Sequence, residues 1–156
     1  MHIGNGSEPQ GLDPHIVTGV PEHHLLITMC EGLTISNPEG GANLPGMAES
    51  WEISEDGKTY IFNIRKDAKW SNGDEFLAED MVWSWMRVLT PSLGSQYPDM
   101  LYYVVGAEDF NKGIISDFSK VGVKALDEKT LEVNLNNPTP FFLGLLSHYS
   151  TWPVHK

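Results

Sequence analysis

The stretch EISEDGKTYIFNIRKDAKWSNGDEF, residues 52–76, carries the reading of the fold. Its first residues continue a two-residue alternation begun at Trp51, with Trp51 and Ile53 on one side and Glu52 and Ser54 on the other. Asp56-Gly57 then supplies a glycine able to take the positive φ that tight hairpin turns require. On the return, Tyr60, Phe62 and Ile64 share one face, and Thr59, Ile61, Asn63 and Arg65 the other. The stretch is therefore expected to form a hairpin with one strongly apolar face, followed by a second turn at Ser71-Asn72-Gly73-Asp74 and a helix.

That helix is expected from about residue 78. Ala78, Met81, Val82, Trp85, Val88 and Leu89 recur at helical spacing, and Pro91 prevents continuation, so about three turns lay one stripe on the sheet. A second hairpin is expected downstream, where Val121–Leu126 and Thr130–Leu135 bracket Asp127-Glu128-Lys129, with Leu131, Val133 and Leu135 on one face. A short helix is expected over Val105–Asn111, and Pro138-Thr139-Pro140 opens another apolar segment. Upstream, His15–Val20 reads as a short strand stopped by Pro21, His23–Glu31 as a helix ended by Gly32, and Leu33–Ser36 as a brief strand. The fold class is α+β: antiparallel hairpins covered by helices.

Composition narrows the function. The 156 residues can close one principal core. A net charge of −11, from 21 acidic and 10 basic residues, repels phosphate backbones and anionic lipid, so nucleic acid is not an expected partner. Cys30 is the only cysteine, which excludes an intrachain disulfide and a CxxC-type site. No apolar run reaches the roughly 20 residues of a membrane helix, and Met1–Gly6 lacks the basic and apolar regions of a signal peptide.

The acidic turns do not make a calcium loop. An EF-hand needs oxygen ligands at its first, third and fifth positions, glycine at the sixth and a bidentate acid at the twelfth. With Gly73 sixth, Ala68 and Trp70 fall on ligand positions; with Gly57 sixth, the twelfth is Asn63. Adjacent His23 and His24 diverge on a helix and cannot both hold one ion unaided. Glu79-Asp80 is explained by the preference of acidic side chains for a helix N-terminus. No GxSxG, P-loop or HExxH occurs. No catalytic residue, metal ligand or cofactor is therefore expected, and a small acidic hydrolase working through Glu79 or Asp80 is the rival reading from another class.

The order of segments says more than any one of them. Glu8–His15, Gly19-Val20-Pro21-Glu22, Glu31-Gly32-Leu33 and Pro45–Trp51 are followed by the alternating hairpin ending in Ile64-Arg65. Then come Ala68–Gly73, Ala78-Glu79-Asp80, Val105-Gly106-Ala107, Val123–Asp127, Thr130–Val133 and Pro138–Phe142. Together they resemble family 5 of the solute-binding proteins, the extracytoplasmic oligopeptide receptors of ATP-driven peptide importers, over about residues 7–156. Leu77 departs from the pattern, standing where the family usually has a Thr or Ser able to cap the helix.

The resemblance implies a fragment of a periplasmic-binding-protein-like (type II, class C) fold: the first strand and helix of lobe I over residues 1–30, a smaller inserted domain over 31–154, and the return to lobe I at 155–156. It further implies a periplasmic or extracytoplasmic location, as a membrane-anchored lipoprotein in a monoderm, and membrane permease subunits as partners. The ligand would be an extended oligopeptide lying between lobes and pairing main chain to main chain. The matching residues are Thr18, Gly19 and Val20, with Tyr97 lining the site from the inserted domain. A same-family receptor for nickel, haem or an oligosaccharide is the nearer alternative. The unpartnered Ile16–Val20 strand is also expected to be a site of self-association.

Overall fold

The computed structural model describes residues 4–156. In chain order its elements are α1 (Val20–Met29), β1 (Thr34–Ile35), β2 (Leu44–Pro45), β3 (Ala48–Ile53), β4 (Thr59–Ile64), α2 (Ala78–Leu89), α3 (Ala107–Asn111), β5 (Val123–Ala125), β6 (Thr130–Asn134) and α4 (Phe142–Leu145). Both expected hairpins form, and β4 pairs antiparallel with β6 to join them into one sheet of order β3-β4-β6-β5. Gly57 takes φ 68° in the first turn, where the Asp56 carboxylate accepts hydrogen bonds from the Ser54 hydroxyl and the Lys58 amide.

Register brings the apolar alternations together. Tyr60 lies opposite Val133 and Phe62 opposite Leu131, so Tyr60, Phe62, Ile64, Leu131 and Val133 form one buried face. Against it α2 buries Ala78, Met81, Ser84, Trp85, Val88 and Leu89. Val82, half-buried, packs against the core as expected, and Ser84 joins the buried face because its hydroxyl is paired with the backbone of Val154, accepting from the amide at 3.0 Å. The Trp85 indole donates to the Thr151 carbonyl at 2.9 Å, tying the core to the last turn of the chain. The Leu77 side chain makes no cap; the Asp80 carboxylate instead accepts the Leu77 amide at 2.9 Å and the Trp70 indole N–H at 3.1 Å.

The strand expected over His15–Val20 does not form. A strand needs a neighbour for its ladder, and no described residue pairs with this one. Local chemistry wins: the Asp13 carbonyl accepts the amides of both Ile16 and Val17 at 3.1 Å, and the Asp13 carboxylate accepts that of His15 at 3.0 Å. The chain turns over Pro14–Ile16, stays extended through Gly19, and enters α1 at Val20, three residues earlier than expected, with Pro21 in the first turn. The expected self-association through an Ile16–Val20 strand therefore loses its structural basis, although Ile16 and Val20 are exposed.

Apolar packing divides in two. The main cluster runs from Leu33 to Leu146 through the sheet and α2. A second holds Leu26, Tyr149 and Trp152, with Val17 and Tyr97 packed at its margin.

Candidate functional site

The segment Val17–Gly19 starts at the edge of the second cluster, with Thr18 exposed and Val17 and Gly19 half-buried. Gly19 is extended (φ −85°, ψ 158°) and precedes the first residue of α1. Its carbonyl receives the His23 amide at 3.0 Å and the Val17 carbonyl receives the Tyr149 hydroxyl at 3.2 Å, while the amides of Thr18 and Gly19 have no partner among the described residues. Exposed, extended and unpaired backbone of this kind can accept an added chain by main-chain hydrogen bonds.

Gly19 makes room for a close approach by the Glu22 side chain. A Cβ there would come within 1.9 Å of Oε2 of Glu22. That carboxylate is itself fixed, buried and accepting the Gln10 amide at 2.6 Å through Oε1. The N-terminal loop is thereby stitched to the first turn of α1, and the glycine cannot be replaced without moving the stitch.

Tyr97, which precedes the 3₁₀ turn at Pro98 and is half-buried, packs at the margin of the cluster that holds Tyr149. Its ring meets His148 edge-on at a centroid distance of 5.3 Å and Tyr149 at 6.4 Å. His23, from α1, also packs on Tyr149, at 5.7 Å. Burial, then the neighbouring Tyr97 phenol and the Glu22 carboxylate, push the Tyr149 phenol above its ordinary pKa. Burial and the nearby His23 push His148 down. The result is a wall of two phenols and two imidazoles beside an open backbone run, suited to packing and hydrogen bonding a neutral or extended chain.

Tyr97 and Val17, the residue next to Thr18, thus pack against the same small cluster, although they are 80 positions apart. Sequence reasoning missed Tyr149, His148 and His23, which complete that margin; nothing in their spacing signalled it, because they belong to a 3₁₀ turn at Tyr149–Thr151 and to α1. The carboxylates of the hydrolase reading do not meet. Glu79 is exposed, and Asp80 is engaged at the start of α2. Among the described residues no three His, Cys, Asp or Glu side chains converge as a metal site would require.

Comparison with known proteins agrees with this architecture. The Escherichia coli periplasmic oligopeptide-binding protein OppA is 45% identical over 154 residues, covering 97% of this chain and 28% of that protein. The Bacillus subtilis oligopeptide-binding protein OppA is 42% identical over 158 aligned positions, covering 100% of this chain and 28% of that protein. Among solved structures, Haemophilus influenzae OppA in complex with RPPGFSPFR superposes with a TM-score of 0.90 at 42% identity, over 97% of this chain and 29% of that one. The chain thus spans somewhat more than a quarter of the length of these relatives. The description "Bacterial extracellular solute-binding proteins, family 5 Middle" matches residues 44–156. With relatives this similar along its whole length and a family match over most of it, the chain belongs to family 5 of the bacterial extracellular solute-binding proteins.

Proposed function

We propose that this chain supplies one wall of an extracytoplasmic receptor that binds extended oligopeptides for an ABC importer, without catalysis. Residues 31–154 form the smaller inserted domain and residues 1–30 belong to the larger lobe. The carrying observation is the backbone at Thr18-Gly19, its amides without partners among the described residues, entering α1 at Val20 next to Val17, whose carbonyl is held by Tyr149, the neighbour of Tyr97. Main-chain pairing binds without reading side chains, which suits a receptor for peptides of many sequences. The Leu26–Tyr149–Trp152 cluster, small and apart from the sheet core, is where the two pieces meet, Leu26 and Val17 from one and Tyr149, Trp152 and Tyr97 from the other. The names of the similar proteins, oligopeptide-binding for the Escherichia coli and Bacillus subtilis relatives and periplasmic for the former, support the ligand class and the location.

By itself this wall binds weakly. Two or three main-chain hydrogen bonds contribute about 0.5–1.5 kcal/mol each, whereas association costs roughly 4–15 kcal/mol in lost freedom. Calorimetry of the 156-residue chain with mixed tri- to pentapeptides should show no affinity tighter than about millimolar, roughly −4 kcal/mol. A polypeptide of the relatives' length that contains this chain should bind the same mixture and release peptides to mass spectrometry. Micromolar binding by the chain alone would overturn the shared-site reading; consistent absence of peptide from the longer protein would overturn the ligand class. Neither protein should turn over a glycoside or peptide panel.

A further inference from the structure

Arg87 projects from α2 toward the N-terminal segment. Its guanidinium donates to both oxygens of Asp13, through Nη1 at 3.0 Å and through Nη2, and Nη1 also meets Nδ1 of His15 at 2.8 Å. A guanidinium has only donors, so Nδ1 must accept and carries no proton. The ring proton is then on Nε2, which lies 2.8 Å from the Trp152 carbonyl and donates to it. His15 is 1% exposed. One neutral tautomer satisfies every group in the cluster, and no other does.

The cluster is wired to the open backbone. Asp13 holds the His15 amide with its carboxylate and the Ile16 and Val17 amides with its carbonyl. Val17 is held from the far side by the Tyr149 hydroxyl. Thr18 follows directly. The distance from Arg87, in the sheet domain, to the backbone at Thr18 is therefore spanned by hydrogen bonds and one salt bridge.

We propose that Arg87, Asp13 and His15 are positioning residues that hold the Thr18–Val20 edge in place opposite Tyr97, and that protonation of His15 opens this clasp. The inference rests on the reading of that edge as ligand-binding. The charged groups facing His15 are Arg87, from α2, and Asp13, from its own segment; the 3₁₀ turn at Tyr149–Thr151 leads into the uncharged Trp152 carbonyl. An imidazolium would lose the Nδ1 acceptor and set a second cation against the guanidinium. Burial, with Arg87 assisting, accordingly lowers His15 to about 4.

The test uses the 156-residue chain and needs no peptide. Imidazole nitrogen NMR should find His15 as the Nε2–H tautomer at pH 7 and still neutral at pH 5. Hydrogen-exchange protection of the Val17 and His23 amides should fall at least tenfold as His15 protonates, while Phe62 and Leu131 keep theirs. Arg87→Lys keeps the charge but cannot serve Asp13 and His15 together, and should give the tenfold loss already at pH 7. His15→Gln offers an acceptor and a donor at every pH and should keep the protection while abolishing its acid loss. An ordinary His15 titration near 6.5, or full protection of Val17 and His23 in Arg87→Lys, would overturn the proposal. A clasp that passes these tests in a protein that binds no peptide would leave the positioning intact and sink only the ligand reading.

Discussion

The sheet domain and the N-terminal segment are held by different physics. Between β4, β6 and α2 a continuous cluster of twenty-three buried apolar residues closes the core. The N-terminal segment rests on three, Leu26, Tyr149 and Trp152, and on directional bonds: Arg87 with Asp13 and His15, Tyr149 with Val17, and His15 with the Trp152 carbonyl at 2.8 Å. Apolar burial is insensitive to pH and to small shifts. Hydrogen bonds to charged groups fail when one partner changes protonation or moves by an ångström. The same short chain is thus robust in its sheet scaffold and conditional at its N-terminal segment.

The largest effect should come from the robust side. Phe62 is fully buried in the centre of the sheet, stacked near Tyr60 and opposite Leu131. Phe62→Ala should cost about 4 kcal/mol by lost transfer energy and a residual cavity, read as an equivalent fall in the urea unfolding free energy of the whole chain. A cost below about 1 kcal/mol would mean that the sheet face is not the stabilising core.

Acid tests the conditional side. The folded pKa of His15, about 4, lies below its ordinary 6.5, so the unfolded segment takes up the proton first. Its contribution is complete above pH 6.5, declines as pH falls toward 4, and is gone below that, a loss on the order of 3 kcal/mol. Asp13 extends the decline: burial raises its pKa, but the Arg87 and His15 hydrogen bonds outweigh it and lower the carboxyl below 3.8. Hydrogen exchange should therefore show Tyr60–Ile64 and Leu131–Leu135 protected throughout, and the amides of Ile16 and Val17 less protected at pH 7 and barely at pH 4. Equal and strong protection of both regions at pH 4 would erase the distinction.

How much of this was legible in the sequence follows the same divide. The alternations at Tyr60–Ile64 and Leu131–Leu135 and the helical stripe from Ala78 to Leu89 are set by burial of one face, which leaves a periodic trace. Ile16, Val17 and Thr18 are β-branched and sit between turn residues, and so read as a strand; the side chain and carbonyl of Asp13 folded the start of that run into a turn because no neighbouring strand competes for its amides. His15 leaves no local signal because its partners, Arg87 and Trp152, are 72 and 137 positions away. Tyr97 and Thr18–Val20 were singled out by the order of segments alone, and their common margin depends on Tyr149, which no periodicity marks.

Truncating the second cluster should cost less than the sheet core. Leu26 is 1% exposed, but its neighbours Val17 and Tyr97 are only partly buried and can close over a gap. Leu26→Ala should cost about 2 kcal/mol, the low end for such truncations, read as lost protection along α1 with the urea midpoint of the main transition nearly unchanged. A loss of 4 kcal/mol in that main transition would show that the two clusters unfold as one.

The smallest effect concerns the start of α2, where the scaffold departs from the family's pattern. Leu77 is the N-cap residue, extended at φ −114° and ψ 157°, with a half-buried side chain that offers no acceptor. The first-turn amides are partly served: Ala78 donates to the Glu128 carbonyl at 2.9 Å and Asp80 to the Leu77 carbonyl at 3.0 Å, while the Glu79 amide has no partner among the described residues. A hydroxyl at the cap would serve it, worth about 1 kcal/mol, but removing Leu also withdraws apolar area from a half-buried site, at about 25 cal/mol per Å². The two nearly cancel in Leu77→Thr taken alone, so the informative comparison is with Leu77→Ala, which loses the contact and gains no cap. Leu77→Thr should unfold at a higher urea concentration than Leu77→Ala by about 1 kcal/mol of stability. Equal midpoints would mean that the Asp80 carboxylate, already bonded to the Leu77 amide and the Trp70 indole, completes the helix start without a cap.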